Sequence, residues 1–144
     1  MTQKHSHETE IKRQILEKAY ELIKNEEDWI KGVDAIDIHG EETVPDDPEA
    51  CQFCLNGAIN AASERFEDFD VIRNCYPTEY HEAVYKLRKE IHKEIVKRTG
   101  DREHLFPSQA MTNYNDNLHR THQDILNIIL TVLKNIKGEQ HENK

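Results

Sequence analysis

Apolar residues recur with a helical period in several long stretches of the chain. Between Thr9 and Glu27, the residues Ile11, Ile15, Ala19, Leu22 and Ile23 share one face with Lys and Glu between them, which predicts a first helix. Trp29 and Ile30 follow as an apolar anchor. A second periodic stretch opens at Pro77-Thr78-Glu79, sets Tyr80, Val84, Leu87, Ile91 and Ile95 on one face, and is stopped by Gly100. Its other face carries Lys86, Arg88, Lys89, Lys93 and Lys97 interleaved with Glu82, Glu90 and Glu94, and reads as solvated. The clearest helix follows Thr121-His122-Gln123-Asp124, a capping box with Asp in place of Glu or Gln. It continues through Ile125, Ile128, Ile129, Val132, Leu133 and Ile136 to Lys137 and Gly138, and Leu126 and Leu130 widen its apolar surface enough to pack on two sides.

The remaining helix is predicted from Asp47-Pro48-Glu49, where a capping Asp precedes Pro at the first helical position and an acid faces the dipole. It would run through Cys51, Cys54, Leu55, Ala58, Ile59 and Ala62 toward Phe66 as the central, most buried helix. Gly57, Ala58, Ala61 and Ala62 thin one side, so that another helix can approach. Gly32 to Val44 reads as a loop with one short extended piece and a turn at Gly40, Glu67 to Cys75 as a short helical turn, and Asp101 to Asn113 as a loop with Leu105, Phe106 and Met111 tucked inward. The expectation is all-α: an irregular bundle of about four main helices with long loops. It forms one domain over 1–144, with 1–8 and 139–144 as polar, flexible tails.

Composition narrows the function classes. Apolar residues make up 36% and charged residues 33%, so the core is modest and the helix faces are solvated. A net charge of −9 argues against generic nucleic-acid binding, although it leaves room for a local basic site. There is no apolar run of membrane-spanning length, and the first residues lack the apolar stretch of a secretory signal. Three cysteines, an odd number without framework spacing, point to a reducing cytoplasm. No glycine-rich phosphate loop is present, no cofactor is implied, and the acids Glu41, Glu42, Asp46 and Asp47 are too sparse for a calcium loop.

The segment from Tyr114-Asn115-Asp116 to Arg120-Thr121-His122 is the most informative. Free N–H groups at a capped helix start, with Arg120 beside them, form a small anion site. Asn115 and Asp116 can orient a ligand's hydroxyl or amide groups, and Tyr114 can stack on a ring. The plainer alternative is that Thr121 only caps, Asp116 only pairs with Arg120, and Asn115 only makes a turn.

Three stretches, Leu16-Glu17-Lys18-Ala19 through Trp29, Asp46-Asp47-Pro48-Glu49-Ala50 through Phe53-Cys54-Leu55-Asn56-Gly57-Ala58, and Tyr114-Asn115-Asp116 through Arg120-Thr121-His122, carry a resemblance. In them the chain resembles a family of small uncharacterised proteins of bacteria and their phages, a domain of unknown function. The resemblance implies a helical fold without an established activity, and that Cys54, Asn115, Asp116, Arg120 and Thr121 meet in space. The phage occurrence of that family suggests a protein that captures a nucleotide-like signal without changing it.

Two other constellations compete. Cys51-x-x-Cys54 with His119-x-x-His122 supplies a zinc ligand set. Both cysteines are predicted within a helix, however, and the family resembled commonly has an apolar residue at the position of Cys51 and a small one at that of His119. Cys54 with His122 as base and Asp116 or Asn115 as orienting group would make a hydrolase, but nothing marks an oxyanion hole. The preferred expectation is a non-enzymatic module for a small polar or anionic ligand, using Tyr114, Asn115, Asp116, Arg120, Thr121 and Cys54. The alternatives are a cysteine/histidine hydrolase and a protein–protein adaptor using the outer face of the Tyr80–Ile95 helix. Homo-oligomerisation is left open.

Overall fold

The computed structural model describes residues 2–64, 77–104 and 106–142. Among them are five α-helices: α1 (Thr2–Ile23), α2 (Leu55–Glu64), α3 (Pro77–Thr99), α4 (Pro107–Asp116) and α5 (His122–Glu142). A small sheet is made by β1 (Ala35–Asp37), β2 (Glu42–Thr43) and β3 (Ala50–Phe53). The chain is therefore mostly helical but not purely all-α. α1 begins at Thr2, earlier than its apolar period alone suggests. The expected helical turn at Glu67–Cys75, along with Phe66 and Leu105, lies outside the described residues.

α1 packs on α2, α3 and α5 at once, so the central position falls to it. Its Ile11, Ile15, Leu16, Ala19 and Ile23 are buried against Leu87, Ile91 and Ile95 of α3 and Ile125, Ile128, Ile129 and Ile136 of α5 within one core. α2 is the most enclosed, with every residue from Leu55 to Ser63 except Asn60 buried. On α5, Leu126 joins the core while Leu130 is exposed, so the second apolar side is narrower than its sequence suggests. Gly100, at φ 74°, ends α3 and donates its N–H to the Val96 carbonyl.

The sheet corrects one predicted helix start. Asp47-Pro48-Glu49 forms a turn: the Asp47 carboxylate accepts the Glu49 N–H (2.9 Å), and its carbonyl accepts that of Ala50 (2.9 Å). An Asp before Pro satisfies a turn as readily as a helix cap, and the pairing partner decides between them. Here Ala50, Gln52 and Phe53 lie opposite Asp37, Ile36 and Ala35 of the antiparallel β1, and Cys51 is the extra residue of a bulge. β2 pairs on the other edge of β1, after a turn in which Gly40 stands at φ 81°. α2 starts only after Cys54, whose carbonyl accepts the Ala58 N–H and whose Sγ accepts that of Gly57 (3.3 Å).

A second correction concerns Asp101 to Asn113, which ends in helix. Pro107 opens α4 from an extended Phe106, and Ala110, Met111 and Tyr114 form its buried face. Three apolar positions among Ser, Gln, Thr and Asn give a weak period, which is why the stretch reads as loop. Asn115 and Asp116 are consequently the last turn of α4, and the chain reverses at Asn117. Its Oδ1 accepts the His119 N–H and its carbonyl accepts that of Arg120 (both 3.0 Å). Phe106 is exposed instead of tucked inward.

Candidate functional site

The three stretches singled out in the sequence do meet, and Asn115 is where they lock. It is wholly buried. Its Oδ1 accepts the indole N–H of Trp29 (2.6 Å) and the backbone N–H of Leu55 (3.0 Å), while its Nδ2 donates to the Ile30 carbonyl and to Asp116 Oδ1 (both 3.0 Å). Both ends of the amide are thus in use, and one side chain ties the Trp29–Ile30 segment, the start of α2 and the end of α4 together. Asp116 extends the tie by accepting the Gly32 N–H (3.0 Å), and Lys31 Nζ reaches the Asn117 carbonyl (2.8 Å) while lying 5.6 Å from the centre of the Trp29 ring. Asp116 makes no ion pair with Arg120 among the described residues, and Asn115 makes no turn.

Asp34, which nothing in the sequence distinguishes from an ordinary loop acid, fixes the other side of Cys54. Its carbonyl accepts the Cys54 N–H and its Oδ1 accepts the Cys54 thiol and the Asn56 amide (each 3.3 Å). Gly57 is forced by the same segment: a Cβ there would stand 1.9 Å from the Asp34 carbonyl oxygen. The thin side of α2 therefore receives backbone leading into β1, where the sequence pattern suggested a helix. Burial pushes the Cys54 thiol up to about 12, with the Asp34 and Asp116 charges adding to the effect and the Gly57 N–H opposing it. At neutral pH this is a protonated, hydrogen-bonded core thiol.

The start of α5 is occupied by the chain itself. Thr121 and Asp124 complete the capping box in both directions, the Thr121 N–H donating to Asp124 (3.0 Å) and Thr121 Oγ1 accepting the Asp124 N–H (3.1 Å). The Asp124 carboxyl is held below the usual aspartate range, first by the Thr121 N–H and further by Arg120 and Arg98. A carboxylate of the protein thus takes the place that an external anion would occupy. Arg120 stacks its guanidinium 3.7 Å from the centre of the Tyr114 ring and donates Nε–H to the Tyr114 carbonyl (3.1 Å). Tyr114 is buried beneath it and presents no free face for a ligand ring.

The zinc and nucleophile constellations do not assemble. Cys51 is exposed on the β3 bulge, outside any helix. His122 donates from Nε2 to the Ile23 carbonyl (2.6 Å) and lies against Trp29, 5.6 Å between ring centres. Among the described residues, no group of three or more His, Cys, Asp or Glu side chains is placed to hold a metal ion.

The open feature lies elsewhere. A groove of about 790 Å³ runs along α3 against the first turns of α1 and the segment after α3, with Lys12, Lys86, Lys89, Lys93, Lys97 and Arg102 among its walls. The face read as plainly solvated is in fact divided. Arg88 turns inward to Asn56 and Asn60 of α2, and burial lowers its pKa. Glu94 is buried and pairs with Arg98 (2.7 Å). Lys12, only 6% exposed, lies 2.8 Å from Glu90 and 3.2 Å from Glu8. Lys93, Lys97 and Arg102 have no ion-pair partner among the described residues. Two sequence signals mark this groove: cations at 86, 89, 93 and 97 recur at helical spacing, and Lys12 interrupts the apolar face of α1.

No curated protein and no solved structure matches the chain. A family model described as "Family of unknown function (DUF6197)" matches residues 8–134, from the first turns of α1 to near the end of α5 and including all three interlocking stretches. The chain belongs to that family of unknown function.

Proposed function

We propose that the protein is a non-enzymatic binding module for a small polyanion, taken up in the groove between α1 and α3 and not at the Tyr114–Thr121 segment. The observation that carries this reading is the set of Lys93, Lys97 and Arg102, cations without an ion-pair partner among the described residues, lining a groove of about 790 Å³ on a protein of net charge −9. That volume is of the order of small-ligand sites, roughly 300–1,000 Å³. Positive charge concentrated in a concavity, against an acidic remainder, attracts a compact anion and repels an extended nucleic acid. The non-enzymatic part of the reading is supported by Cys54, whose thiol is buried, hydrogen-bonded to Asp34 and raised to about 12. Asn115, Asp116 and Thr121 spend their polar groups on the fold itself, and Arg120 lies on the Tyr114 ring and donates its Nε–H to the Tyr114 carbonyl.

Calorimetric titration with pyrophosphate tests it. Binding is expected in the parent protein, weakening as salt rises because the contacts are partly exposed charges. The double variant Lys93→Ala/Lys97→Ala should weaken it by about tenfold or more, the worth of one to two charge-assisted hydrogen bonds. Arg120→Ala should leave it unchanged. Absence of binding at millimolar pyrophosphate, or its loss in Arg120→Ala alone, overturns the reading.

A further inference from the structure

The two ends of the groove differ in what they offer a ligand. Toward the start of α3 the cations are already matched: Lys12 lies within ion-pair distance of Glu8 and Glu90, and Lys86 Nζ is 3.1 Å from both Glu8 and Glu82. Toward its end, Lys93, Lys97 and Arg102 have no such match among the described residues. Glu90 stands between the two ends. Its Oε1 takes Lys12, whereas its Oε2 is buried and has no hydrogen-bond partner among the described residues. A carboxylate oxygen withdrawn from water and left without a donor is destabilising, and native structures keep few such groups. Glu90 also stands, with Lys93 and Lys97, in the wall of a second cavity of about 200 Å³ between α3 and α5. Glu90 also lines the groove itself, and the terminal torsion of a Glu side chain is broad, so a turn of its carboxylate is what would offer Oε2 to a ligand there.

Resting on the groove reading above, we infer that the ligand is a phosphate ester of a polyhydroxylated molecule and not a bare inorganic anion. The phosphate lies against Lys93, Lys97 and Arg102, and a hydroxyl group donates to Glu90 Oε2. Helical rise puts Glu90 and Lys97 about 10 Å apart along α3, the reach of a phosphorylated sugar. An inorganic polyphosphate that extended to Glu90 would bring negative charge against Glu90 and Glu8. An amine in the same place would meet Lys12 and Lys86, so a neutral hydroxyl is the donor that suits the site.

The test compares ribose 5-phosphate with ethyl phosphate, which has the same ester charge and no hydroxyl, by calorimetric titration of the full chain. Ribose 5-phosphate should bind about tenfold more tightly, the increment of one hydrogen bond to a charged acceptor. In Glu90→Gln the amide oxygen must face Lys12, which leaves a donating NH₂ where Oε2 was, so that advantage should vanish and the two esters bind alike, both somewhat more tightly because a negative charge has left the groove wall. Thermal denaturation confirms that the variant folds, and Glu90→Met, in which Lys12 retains Glu8, provides a second variant with the same expected outcome. Equal affinity for the two esters in the parent, or an advantage that persists in both variants, overturns the inference and leaves the groove reading standing. If pyrophosphate does not bind at millimolar concentration, the groove reading falls and takes this inference with it.

Discussion

Asn115→Ala removes the residue on which the three interlocking stretches converge. Four hydrogen bonds are lost at a wholly buried position. The Leu55 N–H lies at the start of α2 and the Ile30 carbonyl faces the same amide, so both lose a partner under protein cover. Each such orphan costs about 1–3 kcal/mol, while the half-buried Trp29 indole recovers part of its bond from water. Alanine returns a few tenths of a kcal/mol in helix propensity, which does not alter the sign. The expected loss is about 3–5 kcal/mol, a large share of the roughly 5–15 kcal/mol that holds a domain folded. Trp29 is the single tryptophan of the chain, so urea unfolding followed by its fluorescence reads the global transition and the local contact together. The native emission of the variant should shift to the red as the indole N–H turns to solvent. Asn117→Ala, at the exposed reversal after α4, serves as the control and should cost about 1 kcal/mol or less. A loss below about 1 kcal/mol for Asn115→Ala, with unchanged emission, would refute the reasoning, because four good bonds cannot be surrendered cheaply in a closed site.

Other consequences can be checked in the same preparations. Gly57→Ala drives a methyl group into the Asp34 carbonyl and should destabilise by about 3 kcal/mol or more, whereas Gly138→Ala, which meets nothing, should be neutral or slightly stabilising. Peptide mass mapping after iodoacetamide treatment at pH 8 should find Cys51 modified and Cys54 untouched until urea is added, since Cys54 is buried and its thiol is pushed up to about 12 by that burial. Asp124 is held below its usual 3.8, so its contribution is fully present above that pH and is lost as the pH falls through the lower folded value. Asp124→Asn should therefore lower the urea midpoint at pH 7, and the gap to the parent should close as the pH falls below 3.8 and through the lower folded value; a gap independent of pH would show that the charge is not what caps α5.

What was legible in the sequence followed the strength of the periodic signal. α1, α3 and α5 carry long apolar stripes that only a helix satisfies, and the Thr121–Asp124 box and Gly100 stop are local chemistry that needs no tertiary partner. The sheet was not legible, because Ala50 to Phe53 has no alternation of its own and becomes a strand only by pairing with β1. Of the five residues that the family resemblance implies meet, Cys54, Asn115 and Asp116 converge, while Arg120 lies on Tyr114 and Thr121 is engaged with Asp124. In sequence Asn115 and Asp116 suit a ligand's hydroxyl or amide groups, and their place at the end of α4, with Asn115 buried, makes them a strut instead. Arg88 and Lys12 illustrate the reverse error. Charge on an amphipathic helix looks solvated until the neighbouring helix is in place, and only then does it become a buried tie or the wall of a groove.

The most direct test of where this molecule meets a ligand is an amide NMR titration of the isotopically labelled chain with pyrophosphate. The groove reading predicts the largest shifts within Lys86 to Arg102, with the side-chain amide of Asn115 and the backbone of Tyr114 to Thr121 unmoved. Shifts centred on Tyr114 to Thr121, with Lys86 to Arg102 silent, would contradict it.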